Sequence, residues 1–137
     1  MILVIGGTAS GKRTFAQSLG FTCEDGAVAT RESSGALSCS SVVLEAQELV
    51  WGETVDPAAL ADALAEKELV TCTEVGCGIV PLDGQERLWR ERAGRLTLAL
   101  ADRADAVVRV VCGIPVVLKG ALPEADSTAS HCGQLDA

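Results

Sequence analysis

Aromatic side chains are nearly missing from this sequence. They make up 3% of it, with two Trp, two Phe and no Tyr. That argues against base-stacking platforms for nucleic acid and against aromatic-lined sugar grooves. Histidine occurs once, at position 131, and no C-x-x-C pair exists among the six cysteines Cys23, Cys39, Cys72, Cys77, Cys112 and Cys132. Zinc sites need such spacings, so the cysteines read as small buried residues rather than metal ligands. Basic residues are few, 11 Lys and Arg against 19 Asp and Glu, for a net charge of −8. No basic surface is implied that could neutralise nucleic-acid phosphates, although a local basic pocket remains compatible with the total. Apolar runs of the ~18–20 residues that span a bilayer are also missing. The opening run "MILVI" is shorter than a signal-peptide core and no small-residue cleavage site follows it. The expected location is the cytoplasm, where disulfides are disfavoured.

What is present is a globular composition, 48% hydrophobic and 22% charged over 137 residues. One domain over residues 1–120 is expected, followed by a polar, loosely attached tail over 121–137. Residues 2–5, "ILVI", form a short continuous apolar run, as strands buried on both faces do. A short helix over 12–19 should follow, ended by Gly20 at the position after its last turn. Residues 21–40 lack a period and read as loop with one short strand at most. "SVVLE" (41–45) and "LVTCTEVG" (69–76) read as further strands. Asp56 as N-cap and Pro57 as first helical residue start a helix that carries Leu60 and Leu64 on one face. A long helix is expected over 84–103, with Leu88, Leu96 and Leu100 inward, Trp89 and Ala93 beside them, and Arg87, Arg90 and Glu91 towards solvent. "AVVRVVC" and "PVVLK", joined by "GIP", suggest a tight strand pair. Strands alternating with helices predict an α/β fold: a mainly parallel sheet flanked by helices, ending in an antiparallel pair.

The stretch "GGTASGKRT" (6–14) falls between the first strand and the first helix. Its spacing, Gly6-x-x-x-x-Gly11-Lys12, is that of a phosphate-binding loop, in the strand–loop–helix setting such a loop requires. Glycines let the backbone wrap phosphates closely, with amides pointing inward, and Lys12 would reach the terminal phosphates. The next residue normally places a hydroxyl on Mg²⁺. Here it is Arg13, which cannot ligate a cation. Thr14 carries a hydroxyl one residue on, about 100° around the helix, and Ser10 carries another inside the loop. The strand "VVLE" ends in Glu45 at the side of an α/β sheet where ligands collect. Glu45 is therefore a candidate metal or water-bridged metal ligand, and Thr14 its possible partner. The expected ligands are ATP or GTP with Mg²⁺.

"TEVGCGIVP" (73–81) and "RERAGRLTLALADRADAVVRVVCGIPVVLKG" (90–120) add a more specific pattern. With the phosphate loop and the acid-ending strand, they resemble the adenosylcobinamide kinase / adenosylcobinamide-phosphate guanylyltransferase family of cobalamin biosynthesis. The family pattern combines "GG-x-x-SGKS", "NEVG-x-GIVP", "RD-x-x-GR-x-NQ-x-LA" and "V-x-GIP-x-x-LK". The resemblance covers residues 1–19 and roughly 41–120. It implies a P-loop fold, assembly as trimers and a two-step activity. A corrinoid hydroxyl is phosphorylated with ATP or GTP, and GMP is then attached through a covalent guanylyl-histidine. On this chain it implies phosphate contacts from Gly6, Gly7, Ser10, Gly11 and Lys12; Thr14 joins them as a candidate on its hydroxyl alone. It also implies a nucleotide-side loop of Glu74, Val75, Gly76 and Gly78 and a further contact from Arg95, and Glu45 matches its acid-ending strand. Since phosphoryl transfer needs mainly positioning and charge stabilisation, Lys12 and Glu45 are the candidate catalytic residues.

The chain departs from that pattern at several points. Arg13 replaces Ser, Thr73 replaces Asn, Glu91 replaces Asp, and Thr97-Leu98 replaces Asn-Gln. The family's long segment with its reactive His, between the phosphate loop and the acid strand, is here short and without His. His131 lies beyond the region of resemblance, and a nucleophile needs a defined place beside the α-phosphate. Two readings remain open: a cobinamide kinase without the guanylyl-transfer arm, or a non-catalytic nucleotide-binding relative. A GTPase switch is disfavoured because no Asn-Lys-x-Asp motif occurs.

Overall fold

The apolar runs too short for helices become the central strands of one sheet. The computed structural model describes residues 1–22, 26–33, 40–52 and 54–124. The expected tail beyond 124, with His131 and Cys132, lies outside the described residues, as do Cys23 and Cys39. The strands are β1 (Ile2–Gly6), β2 (Gly26–Val28), β3 (Val42–Leu44), β4 (Leu69–Thr73), β5 (Ala106–Val111) and β6 (Ile114–Lys119), in sheet order β2-β3-β4-β1-β5-β6. All neighbours are parallel except β5 and β6. The expected mainly parallel sheet with a terminal antiparallel pair is therefore the observed one.

Successive side chains of a strand point to opposite faces, and each face builds its own core. Leu3, Val43, Val70, Cys72 and Val107 pack with Trp89, Leu96 and Leu100 on one face. Val4, Val42, Leu44, Leu69, Val108 and Val110 pack with Phe15 and Ala16 on the other. This two-sided burial is why these strands read as continuous apolar runs rather than alternating ones.

Among the described residues, three α-helices flank the sheet. The first, α1 (Lys12–Ser18), is followed by Gly20 at φ +92°, the left-handed turn expected after its end. In α2 (Pro57–Leu64) Asp56 caps the amides of Ala58 and Ala59 at 3.3 and 3.4 Å. In α3 (Gly84–Arg103) Asp83 caps the amide of Gln85 at 2.9 Å. The buried face of α3 is Trp89, Ala93, Leu96 and Leu100. Leu88, expected inward, is instead exposed. It lies about 80° around the helix from Leu96, and the larger Trp89 takes the inward position.

Other local expectations shift as well. Strand β4 stops at Thr73, short of the expected 76, because its partner β1 ends at Gly6 opposite Thr73; the Glu74 amide makes the last bond across, to the Gly6 carbonyl at 2.9 Å. Strand β3 stops before Glu45, and Ala46–Val50 form a 3₁₀ turn that no pattern in the sequence announced. The hairpin turn is Cys112-Gly113, with both φ positive (+52° and +76°), so Ile114 and Pro115 already belong to β6. Positive φ at both central residues is the twist a two-residue hairpin needs. Among the described cysteines, only Cys72 is buried; Cys77 and Cys112 are exposed. No described helix is long and apolar enough to cross a membrane.

Candidate functional site

The carboxyl end of β1 opens into the glycine loop. A side chain on Gly6 would place its Cβ 2.5 Å from the Val110 carbonyl oxygen and 2.5 Å from Ser10 Oγ, so the loop can only start from glycine here. Ala9 (φ +54°) and Gly11 (φ +97°) adopt left-handed conformations within the loop, the alternation that turns successive amides into one concavity. The hairpin turn braces the loop from behind. The Gly113 amide donates to the Ser10 carbonyl at 2.8 Å, and a Cβ on Gly11 would come within 3.1 Å of Gly113 Cα. The "GIP" segment thus supports the phosphate loop from about a hundred residues further along the chain.

Lys12 is 4% exposed. Its ammonium folds back over the loop and donates to the Gly7 carbonyl at 2.7 Å and more weakly to Gly6 at 3.4 Å. A buried ammonium held by carbonyls alone remains a strong attractor for anions. Ser10 Oγ is buried with no hydrogen-bond partner among the described residues.

Glu45 lines the same cavity as Lys12 and Ser10. Its backbone is left-handed, at φ +59°, a conformation that costs energy for any residue but glycine. Surrounding bonds hold it there. The Glu45 amide donates to Thr71 Oγ1 at 3.0 Å, and its Oε2 accepts from Gln47 Nε2 and Thr73 Oγ1, both at 2.7 Å. Gln47 in turn accepts from the Thr73 amide at 2.9 Å, and its carbonyl accepts from Trp89 Nε1 at 2.8 Å. Partial burial pushes the Glu45 carboxyl up. The hydrogen bonds from Gln47 and Thr73 and the charges of Lys12 and Arg13 outweigh it, so the group sits below its ordinary value and is ionised at neutral pH.

Ser10, Gly11, Lys12, Thr14 and Glu45 line one cavity of about 400 Å³, together with Ala9 and Arg13. Gly7, Glu74, Val75 and Gly78 line a second of about 380 Å³, with Thr8, Cys77, Trp89 and Arg90. Gly76 lines a third of about 320 Å³ beside it, with Arg90, Thr97 and Leu98. Gly6 is the last residue of β1, at the start of the loop. Arg95 stands apart, on the exposed side of α3, paired with Glu91 one turn back at 2.5 Å.

Several participants were not singled out from sequence. Gln47, Thr71 and Trp89 complete the carboxylate's support, and Thr73 was noted only as a departure from the family pattern. Arg90, read as facing solvent, turns back to donate to the Ile79 carbonyl at 2.6 Å, and its Nε is buried without a partner among the described residues. Arg109 pairs with Glu74 at 3.1 Å. Family position could have flagged Thr73. Nothing local distinguishes Gln47 from a surface glutamine.

A parallel sheet, a glycine loop leading from its central strand into a helix, a buried loop lysine and an acid at the end of a nearby strand together define a P-loop α/β protein. Comparison with known proteins narrows this class. The family model for cobinamide kinase / cobinamide phosphate guanyltransferase matches residues 37–118, and the chain belongs to that family. It is 37% identical over 65 residues to the bifunctional adenosylcobalamin biosynthesis protein CobP of Pseudomonas aeruginosa. That alignment takes in 45% of this chain and 38% of the relative, so the match spans well under half of the relative's length. The matched residues include Glu45, Glu74, Gly76, Gly78 and Arg95. They begin after the phosphate loop, whose assignment rests on the geometry above.

Proposed function

We propose that this chain is a nucleotide-dependent kinase of cobalamin biosynthesis that phosphorylates a cobinamide-type corrinoid. The observation that carries the reading is that a buried Lys12 and an ionised Glu45 line one cavity at the phosphate loop. Phosphoryl transfer requires mainly positioning and charge stabilisation. In this reading the loop amides and Lys12 hold the terminal phosphates of ATP or GTP. Glu45, too acidic to be an efficient base, accepts a hydrogen bond from the attacking hydroxyl and orients it. The acceptor occupies the neighbouring cavity between Gly7, Glu74 and Arg90. The active assembly is a homotrimer, as the family resemblance implies.

Mg²⁺ would supply charge neutralisation on the phosphates. It demands near-octahedral oxygen ligands. Arg13 stands where the ligand hydroxyl belongs, and one oxygen of Glu45 already accepts two hydrogen bonds. The residues present do not fit a directly ligated Mg²⁺ of the usual P-loop kind, and no step here runs through the metal. Contact from Thr14, or through water to Glu45, is the competing arrangement. Guanylyl transfer is proposed to be impaired or lost, since the only histidine, at 131, lies outside the segment where the resemblance implies the nucleophile.

The test is mass spectrometry of products from the purified chain with adenosylcobinamide, Mg²⁺ and either ATP or GTP. Phosphorylated cobinamide that disappears in Lys12→Ala is expected, with no GDP-cobinamide. Folded protein that binds nucleotide yet yields no product would leave a non-catalytic relative.

A further inference from the structure

We infer that Arg13 takes over the metal's part at the phosphate loop, so that the chain binds nucleoside triphosphate as the metal-free polyanion, through Lys12 and Arg13 together. The inference rests on the phosphate-loop reading above and concerns how that site meets its ligand's charge.

Three observations support it. Arg13, Lys12 and Glu45 line the same cavity. Every other arginine described, at 31, 87, 90, 92, 95, 103 and 109, donates to a carboxylate or a backbone carbonyl. Arg13 alone has no hydrogen bond or ion pair with any described residue, so its fork of donors is available to a ligand. Lastly, Lys12 and Arg13 both act on the Glu45 carboxyl through charge, which places all three in one electrostatic field.

The chemistry follows from that arrangement. A guanidinium presents paired donors that match phosphate oxygens bidentately and remains charged at any working pH. Its positive charge and that of Lys12 exceed the single negative charge of Glu45, leaving the cavity a net attractor for a polyanion. A divalent cation entering beside the guanidinium would be repelled by it and would compete with it for the same oxygens. A serine or threonine at position 13 would reverse both effects: it would remove a cation and add a metal ligand.

The experiment is calorimetric titration of ATP, and separately GTP, into wild-type and Arg13→Ser protein, in excess EDTA and in Mg²⁺. Arg13 is exposed, so the variant should fold, and circular dichroism checks that it does. Wild-type affinity for the preferred nucleotide should agree within about threefold between the two buffers. Arg13→Ser should bind at least about tenfold more weakly in EDTA, one charge-assisted phosphate contact being lost, and should recover in Mg²⁺. A wild-type protein that loses tenfold or more in EDTA would overturn the inference and leave the phosphate-loop reading standing. Unchanged EDTA affinity in Arg13→Ser would also overturn it. Folded wild-type protein that binds neither nucleotide in either buffer would bring down both.

Discussion

Replacing Gln47 with Leu tests the support beneath the Glu45 carboxylate. Gln47 is 4% exposed and its amide bridges two groups, donating to Glu45 and accepting from the Thr73 amide. Leucine fills similar space but leaves the Thr73 N–H buried without a partner, a cost of about 1–3 kcal/mol. It also removes a hydrogen bond to a carboxylate, of about 1.5–3 kcal/mol in full burial. Glu45 is only partly buried, so that share is discounted towards its lower end, and added apolar contact offsets some of the loss. We expect a net destabilisation of about 2–4 kcal/mol by urea unfolding at neutral pH. The effect should depend on pH with a definite sign. The folded pKa of Glu45 lies below its ordinary 4.5. Its contribution is therefore complete above 4.5 and is lost as pH falls through the folded value. The gap between wild type and Gln47→Leu should narrow on acidification through that window. Gln47→Glu, nearly isosteric, sets a second carboxylate beside the first, and its penalty should be largest at neutral pH and relieved in acid. A Gln47→Leu variant within about 0.5 kcal/mol of wild type, the range of ordinary surface substitutions, would refute this account of the network.

Lys12→Ala should weaken nucleotide binding by roughly 10–100-fold, one charge-assisted contact. The unliganded protein should lose little stability, because the ammonium is bonded only to carbonyls of its own loop; unchanged calorimetric affinity would contradict the loop assignment. Gly6→Ala should cost about 1–3 kcal/mol or more in unfolding experiments and abolish nucleotide binding, since the new methyl meets the backbone oxygen of Val110, which belongs to β5 and cannot step aside. A fully stable, nucleotide-binding Gly6→Ala protein would show the loop to be looser than described. Burial pushes the Cys72 thiol up to about 11. Iodoacetamide at about pH 8 should therefore label the exposed Cys77 and Cys112 and spare Cys72 until urea is added; peptide mass spectrometry reads the order, and early labelling of Cys72 would show that the sheet opens locally.

The sequence alone determined the elements whose signals are local. Asp56-Pro57 started a helix where they stand, Gly20 closed another, and the short β-branched runs became sheet strands. The spacing from Gly6 to Lys12 placed a glycine loop between β1 and α1, because the backbone freedom such a turn needs is written in its glycines. Glu45 was legible as an acid at a strand's end. Its partners were not. Thr71 and Thr73 lie 26 and 28 residues away in sequence, and they meet Glu45 only because β3 and β4 are neighbours in the sheet. Gln47 joins them only because the chain leaves β3 in a left-handed turn followed by a 3₁₀ turn. The bracing of Ser10 by Gly113, the inward turn of Arg90 and the choice of Trp89 over Leu88 for the core were likewise decided by tertiary packing. Propensity and period act over a few residues. Which polar groups satisfy one another in the interior depends on strand order and the space left between layers, and those exist only once the chain has closed.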